Sequence, residues 1–155
     1  MLGRRCLYHL AKTSLLAILL CGSAQVLRGQ ATATGGSNGF WKDGATGLIW
    51  VVKDNGSDVN WNQARDYCGS LHLGGYSDWR LPTIDELEAI YDSSLTKQYK
   101  IKGPIELGAA CSLSETKNNS GDVWSFCFNS GGRNLGPPTG HGSQGRVLCV
   151  RRSGE

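Results

Sequence analysis

The distribution of cysteines constrains this chain more than any other feature. Two of the six cysteines fall in the first 24 residues. The other four lie further along the chain: Cys68, Cys111, Cys127 and Cys149. Their separations of 43, 16 and 22 positions do not match the C-x-x-C spacing of a zinc site. An even number of cysteines in an exported chain is typical of two disulfides, and four cysteines allow three pairings.

The N-terminus has the layout of a secretory signal peptide. Arg4, Arg5 and Lys12 supply the basic part, and the apolar run TSLLAILLCGSA ends in small residues. The run is shorter than the ~20 apolar residues that span a bilayer. We expect residues 1–24 to be the signal, with cleavage after Ala24 and sites up to Ala33 left open.

A secretory signal peptide predicts that the mature protein lies outside the cytoplasm. We expect an exported protein, extracellular, periplasmic or at the cell surface, with no transmembrane segment in the mature chain. Cys21 is a poor lipoprotein anchor, because Leu20 occupies a position where a small residue is usual. Residues 25–39 are rich in small residues and predict a flexible leader. The domain itself is expected over residues 40–153.

The charge pattern argues against nucleic acid as a partner. The chain has 16 Lys and Arg against 13 Asp and Glu, but residues 1–24 hold three basic and no acidic residues, so the mature chain is balanced at 13 against 13. Residues 43–92 carry nine acidic and three basic residues, and residues 93–155 carry four acidic and eight basic ones. The second part offers an anion-binding face, although a solvated surface explains the same asymmetry.

Two stretches predict helices through their caps. In NWNQARDYCGSLH, Asn60 and Gln63 have capping-box spacing, and the apolar residues that follow recur on one helical face, Cys68 among them. Further on, Thr83 and Glu86 repeat the capping box. Acidic residues in the first turn of this second helix offset its dipole, which explains them better than paired acid–base catalysis does.

Residues 71–92 are predicted to form mostly a corner of the fold; their sequence is LHLGGYSDWRLPTIDELEAIYD. Pro82 holds the residue before it extended. We expect Trp79 to pack at the edge of the core and Arg80 to be anchored by a carboxylate or by carbonyl oxygens, because its planar fork suits fixed bidentate contacts. The competing interpretation makes Trp79 and Arg80 a ligand-binding shelf.

Strands account for the remaining pattern. TGLIWVVKD (46–54) is a β-branched run before a turn, VWSFCFN (123–129) alternates strictly, and GRVLCVRR (145–152) is apolar on both faces, as a central closing strand would be. The order of strand, helix, helix and several strands predicts an α+β fold.

The blocks TGLIW, WNQARDYCGSLHLGGYSDWRLPTIDEL, VWSFCFNSGG and RVLCVRR resemble the Lcl C-terminal domain family of bacterial exported proteins. The resemblance runs from about Phe40 to Arg152. It implies a C-type-lectin-like fold, with two helices flanking a twisted antiparallel sheet, a long loop region and two disulfides. In that fold the cysteine of the first helix pairs with the last strand and an inner pair closes the second sheet. The resemblance therefore implies Cys68–Cys149 and Cys111–Cys127.

Some members of this family are adhesins that bind sulfated polysaccharides. The resemblance therefore implies an adhesin-like binding module for a surface polysaccharide or another extracellular ligand. Two alternatives stay open: a structural or protein-interaction component of the cell envelope, and a variable-loop display protein whose loop is GGRNLGPPTGHGSQG, residues 131–145. We expect no cofactor and no metal, since the calcium-dependent sugar motifs of true C-type lectins are absent. A structural Ca²⁺ held by loop oxygens stays open.

Catalytic motifs are missing from the sequence. GHGSQG (140–145) has G-x-G-x-x-G spacing but precedes a strand, which argues against a dinucleotide site. Ser143 and His141 lack the G-x-S-x-G elbow, and His72 has no partner at a catalytic spacing. We therefore expect a binding protein and not an enzyme.

We expect any ligand contacts to come from the irregular region between Leu95 and Gly145, because binding residues concentrate on loops held by a rigid scaffold. Tyr99 is placed there to stack on a sugar ring. The cations available in this region are Lys97, Lys100, Lys102 and Arg133. The expected partners are an anionic polysaccharide or a surface protein.

Overall fold

The computed structural model describes residues 38–138 and 145–154. In chain order the elements of this part are β1 (Phe40–Lys42), β2 (Leu48–Val51), α1 (Trp61–Ser70), α2 (Ile84–Ala89), β3 (Cys111–Lys117), β4 (Val123–Cys127), β5 (Gly132–Gly136) and β6 (Val150–Arg152). The strands form two three-stranded antiparallel sheets, β1-β2-β6 and β3-β4-β5. The α+β class expected from the sequence is confirmed, and the likeness to C-type lectins stays a prediction.

The first sheet is built around β2. Trp50 of β2 lies opposite Trp41 of β1 on one side and Val150 of β6 on the other, and its side chain is fully buried. Asp43 closes the turn between β1 and β2, because its carboxylate accepts hydrogen bonds from two backbone amides of the turn and from the hydroxyl of Thr46.

Both helices begin at the predicted capping boxes. Asn60 Oδ1 accepts a hydrogen bond from Gln63 N at 3.0 Å, and Gln63 Oε1 accepts one from Asn60 N at 2.9 Å. In α2, Thr83 Oγ1 accepts from Glu86 N at 3.1 Å, and Glu86 Oε2 accepts from Thr83 N at 2.9 Å. Each box satisfies two amides that the helix itself leaves without partners.

The second sheet has β4 at its centre. Phe126 of β4 is fully buried and packs edge-on against Phe128, with ring centroids 5.1 Å apart. The pairing of β3 with β4 shifts register between Leu113 and Lys117. Helix α2 contacts both strands, and Thr116 Oγ1 of β3 accepts a hydrogen bond from the first amide of the helix at 3.0 Å.

The two disulfides implied by the resemblance are both present. Cys68–Cys149 joins α1 to the residue before β6, and both cysteines are fully buried. Cys111–Cys127 joins residues that lie directly opposite each other in β3 and β4. One bridge therefore ties a helix to the first sheet, and the other reinforces a strand pair.

The closing strand predicted over residues 145–152 is shorter than expected, and its central position is wrong. Only Val150–Arg152 forms a strand, at the edge of the first sheet. The residues before it hydrogen-bond to the backbone of β3 and to the side chains of Asn55 and Ser112. Because their backbone groups have partners in several elements, they do not form one continuous ladder.

The display loop expected over residues 131–145 is also corrected in part. Residues 132–136 form β5 and pair with β4 in regular register, so they belong to the second sheet. Residues 139–144, which hold Ser143, His141 and most of the glycine-rich motif, lie outside the described residues. The predicted signal peptide, Cys21 and nearly all of the predicted leader lie outside them too.

Candidate ligand-binding surface

The lysines singled out in the sequence lie on a segment, residues 92–102, between α2 and β3. Lys100 N donates to Phe128 O at 2.8 Å, and Lys102 N donates to Ile90 O at 2.8 Å. Ile101, between the two lysines, is 1% exposed and anchors the segment in the core. The lysines therefore stand on backbone that is fixed from both sides, against the end of α2 and the end of β4.

The three lysine side chains differ in their partners. Lys97 is exposed and Lys100 is half-buried, and within residues 38–138 and 145–154 neither has a carboxylate partner. Lys102 Nζ instead donates to Ala89 O at 2.8 Å, at the C-terminal end of α2, where a cation is favoured. Lys97 and Lys100 are thus the two lysines of the segment with unbalanced charge.

Tyr99 lies between these charges in sequence. It is half-buried and packs against the core, while its hydroxyl accepts a hydrogen bond from Gln98 Nε2 at 3.3 Å. The ring is therefore fixed by packing and stays partly accessible beside Lys100, an arrangement suited to a planar contact with a ligand.

Arg133 does not share this situation. Its guanidinium, on β5, contacts Asp85 and Glu88 on the outer face of α2, with Nη2 2.7 Å from Asp85 Oδ1. Hydrogen bonds to Glu88 and then to Asp85 raise the pKa of Arg133. The expectation of an available cation at Arg133 is therefore not met, because two carboxylates balance its charge.

Trp79 and Arg80 lie at the corner between the first sheet and α2. Trp79 is 3% exposed. Arg80 bonds Val150 through its backbone in both directions at 2.9 Å, and its guanidinium forms two hydrogen bonds to Glu86, at 2.8 and 2.6 Å, and one to Leu81 O at 3.1 Å. Pro82 is buried beside them, and its carbonyl accepts a bond from the backbone of β3. These side chains join the first sheet to α2, and a ligand-binding role for them stays a prediction.

These contacts change the pKa of the Glu86 carboxyl group. Burial alone would raise its pKa, but hydrogen bonds from Arg80 and from the backbone of Thr83, with the positive charge of Arg80, outweigh burial and lower the pKa. Hydrogen bonding to Glu86 correspondingly raises the pKa of Arg80. The pair is therefore charged at neutral pH.

Two polar contacts escaped the sequence analysis. Arg151, whose side chain is 3% exposed, bonds Asp78 at 2.7 Å and covers the ring of Tyr76 at 3.8 Å. Asn134 of β5 donates through Nδ2 to Cys127 Sγ at 2.9 Å. Both contacts join residues far apart in sequence or on separate strands, so no local pattern marks them.

Further features of the described residues bear on chemistry. His72 is exposed, with Nδ1 2.9 Å from Ser70 O. A cavity of about 230 Å³ lies beside the β2–β6 pair, with Arg152 in its wall.

Within the described ranges no group of three or more His, Cys, Asp or Glu is placed to hold a metal ion. In the same part of the chain no helix is both long enough and apolar enough to cross a membrane.

The fold of residues 38–138 and 145–154 defines a class of protein: a small α+β domain, with two antiparallel sheets, two capped helices and two disulfides in this part of the chain. The model of the Lcl C-terminal domain family matches residues 39–151. The chain therefore belongs to the Lcl C-terminal domain family. A search of the curated proteins finds no match to it.

Proposed function

We propose that this chain is an exported, non-catalytic binding module that recognises an anionic polysaccharide through the segment of residues 92–102. The observation that carries the proposal is the pairing state of its lysines. Lys97 and Lys100 stand without carboxylate partners in the described part of the chain, on backbone anchored by Ile101 and by the bond from Lys100 N to Phe128 O.

Most described arginines are in a different state. Arg80, Arg133, Arg146 and Arg151 each contact a carboxylate. Their charges therefore contribute to internal pairing and leave little net attraction for a ligand. An anionic polymer is attracted most by cations that have no internal counter-charge, and Lys97 and Lys100 meet that condition.

Tyr99 adds a second type of contact. A partly exposed ring fixed by packing gives a sugar ring an apolar surface at small entropic cost, because few side-chain rotations are frozen on binding. A chain of sugar rings with negative substituents would meet both the ring and the lysines. Export is supported by the two disulfides, which persist in oxidising compartments.

The affinity of such a site should be modest and sensitive to salt. Each exposed charge pair contributes about 0.2–1 kcal/mol, and salt screens exposed charges over roughly 8–10 Å at physiological ionic strength. We expect retention on a heparin-type column and elution by moderate salt.

The test is a triple variant, Lys97→Ala with Lys100→Ala and Lys102→Ala, against a matched control, Lys42→Ala with Lys53→Ala and Lys117→Ala. Both remove three positive charges, and the control lysines lie on β1, after β2 and at the end of β3. We expect the first variant to lose retention and the control to keep most of it. Equal loss in both would mean that only net charge matters, and unchanged retention of the first would remove this site.

A second candidate function is binding of a surface protein. Leu135 on β5 is 44% exposed and lies opposite the half-buried Trp124 of β4. Exposed apolar side chains beside an aromatic residue favour protein contacts. Capture of a protein partner that is unaffected by salt and lost with Leu135→Ser would favour this function over the polysaccharide.

A further inference from the structure

We propose that Cys111–Cys127 is a thiol–disulfide exchange site, opened by an external dithiol reductant while Cys68–Cys149 stays closed. This role goes beyond ligand binding and does not depend on it. The first observation behind it is access. Cys68 and Cys149 are fully buried, whereas Cys111, the first residue of β3, is partly exposed. Exchange requires an incoming thiolate to reach a sulfur atom. Because only Cys111–Cys127 has a partly exposed sulfur-bearing residue, this bridge should react before Cys68–Cys149.

The second observation is a hydrogen-bond donor on the sulfur that would leave. Asn134 Nδ2 donates to Cys127 Sγ at 2.9 Å. Gly132 lies directly opposite Cys127 on β5 and carries no side chain, so the amide two positions along the strand reaches the sulfur. A donor at this place stabilises a thiolate on Cys127, and a stabilised thiolate leaves faster.

These two observations give the reaction a direction. The external thiolate attacks Cys111 Sγ, the S–S bond breaks, and its electron pair stays on Cys127 Sγ beside Asn134. The second thiol of the reductant loses its proton to solvent and attacks its own sulfur in the mixed disulfide, which releases Cys111 as a thiolate. Both cysteine thiolates then take up protons. The protein disulfide has gained two electrons and two protons, and the dithiol has become a disulfide.

The backbone around the bridge allows it to open locally. Phe128 N donates to Ala110 O at 2.8 Å just beyond the bridge, and Gly131 N donates to Cys127 O at 2.8 Å. The pairing of β4 with β5 continues through Cys127. Because these hydrogen bonds do not involve the sulfurs, β3, β4 and β5 can stay paired after reduction.

The first experiment uses the intact wild-type protein. It is exposed to graded dithiothreitol without denaturant, free thiols are alkylated, and peptides are mapped by mass spectrometry. We expect Cys111 and Cys127 to be labelled at least about tenfold faster than Cys68 and Cys149. The circular dichroism of the folded protein should be retained. Labelling of all four cysteines together, labelling of Cys68 first, or loss of the folded signal on opening of the inner bridge would overturn the proposal.

The second experiment tests the direction of attack. Asn134→Leu removes the donor, and Asn134→Asp replaces it with a carboxylate of the same shape that opposes a thiolate. We expect opening to slow by about twofold to fivefold in Asn134→Leu, the effect of one hydrogen bond, and further in Asn134→Asp. Asn119→Leu, at an exposed turn between β3 and β4, is the control and should match the wild type. Equal rates in all four proteins would contradict the assigned leaving group.

Discussion

The guanidinium of Arg80 and the carboxylate of Glu86 face each other in two parallel hydrogen bonds, Nη1 to Oε2 at 2.8 Å and Nη2 to Oε1 at 2.6 Å. The same carboxylate accepts the backbone amide of Thr83, and the backbone of Arg80 bonds Val150 in both directions. One carboxylate therefore fixes the start of α2 and the corner that joins it to the first sheet.

Glu86→Gln should lower the free energy of unfolding by about 1–3 kcal/mol at pH 7. Gln keeps an acceptor for the capping box, as Gln63 shows in α1, but it loses the charge that pairs with Arg80. Urea unfolding measures the change. The control is Glu106→Gln, since Glu106 and Lys53 form an exposed pair, and it should change stability by less than about 0.5 kcal/mol.

The contribution of Glu86 should disappear at acidic pH. Its pKa is lower in the folded state than in the unfolded chain, so the folded state is favoured fully above the unfolded value of about 4.3. The stabilisation is lost as the pH falls through the folded pKa. The difference between wild type and Glu86→Gln should therefore be largest near pH 7 and small at about pH 2. An equal difference at both pH values would show that the charge is not its source.

Arg80→Ala should lower the melting temperature clearly, because it leaves Glu86 half-buried without its partner. Arg80→Lys should recover only part of the loss, because an ammonium group cannot form the two parallel bonds. Thermal unfolding and polysaccharide retention are measured on both. Full thermal stability combined with lost retention would support the ligand-binding interpretation of Trp79 and Arg80.

The two disulfides should differ in their effect on stability. Replacing Cys68 and Cys149 by Ala should cost about 4–5 kcal/mol, since this bridge spans 81 positions, against about 3 kcal/mol for Cys111 and Cys127, which span 16. Burial of the first pair adds a packing loss. Urea unfolding of the two double variants compares them. A larger loss for the inner pair would contradict the chain-entropy argument here.

Two neighbouring glycines offer a matched test of backbone and packing. Gly74 and Gly75 both have positive φ, at 65° and 83°. A Cβ on Gly74 would overlap the ring of Phe40, whereas one on Gly75 meets nothing within 4 Å. Gly75→Ala should therefore cost about 1–2 kcal/mol for the left-handed backbone alone. Gly74→Ala should cost about 1–3 kcal/mol more. Equal melting temperatures would show that Phe40 moves aside freely.

Local sequence signals predicted the helices well and the sheet boundaries less well. The capping boxes at Asn60 and Thr83 depend on residues three positions apart, so the sequence alone reveals them. Strand β5 was missed because GRNLG has little strand propensity and becomes a strand only by pairing with β4. Strand β1 is three residues long and leaves no periodic pattern to detect.

In the candidate site, too, local features could be predicted from the sequence and long-range contacts could not. The lysines of residues 97–102 could be identified from charge, but their availability depends on carboxylates elsewhere in the chain. Arg133 illustrates the point, since its partners Asp85 and Glu88 are 48 and 45 positions away. Because such partners lie far away in the sequence, the sequence alone does not reveal whether a cation has a carboxylate beside it.

The segment from Gly145 to Val150 contacts several parts of the fold that are far apart in sequence. It bonds β3, the side chain of Asn55, the corner at Arg80 and, through Cys149, helix α1. Such contacts join positions far apart along the chain, which slows folding because long loops must close before any contact forms. We therefore expect the core to form only after residues 145–150 have been synthesised. Until Cys149 has emerged, Cys68 lacks its native partner and is open to wrong pairing.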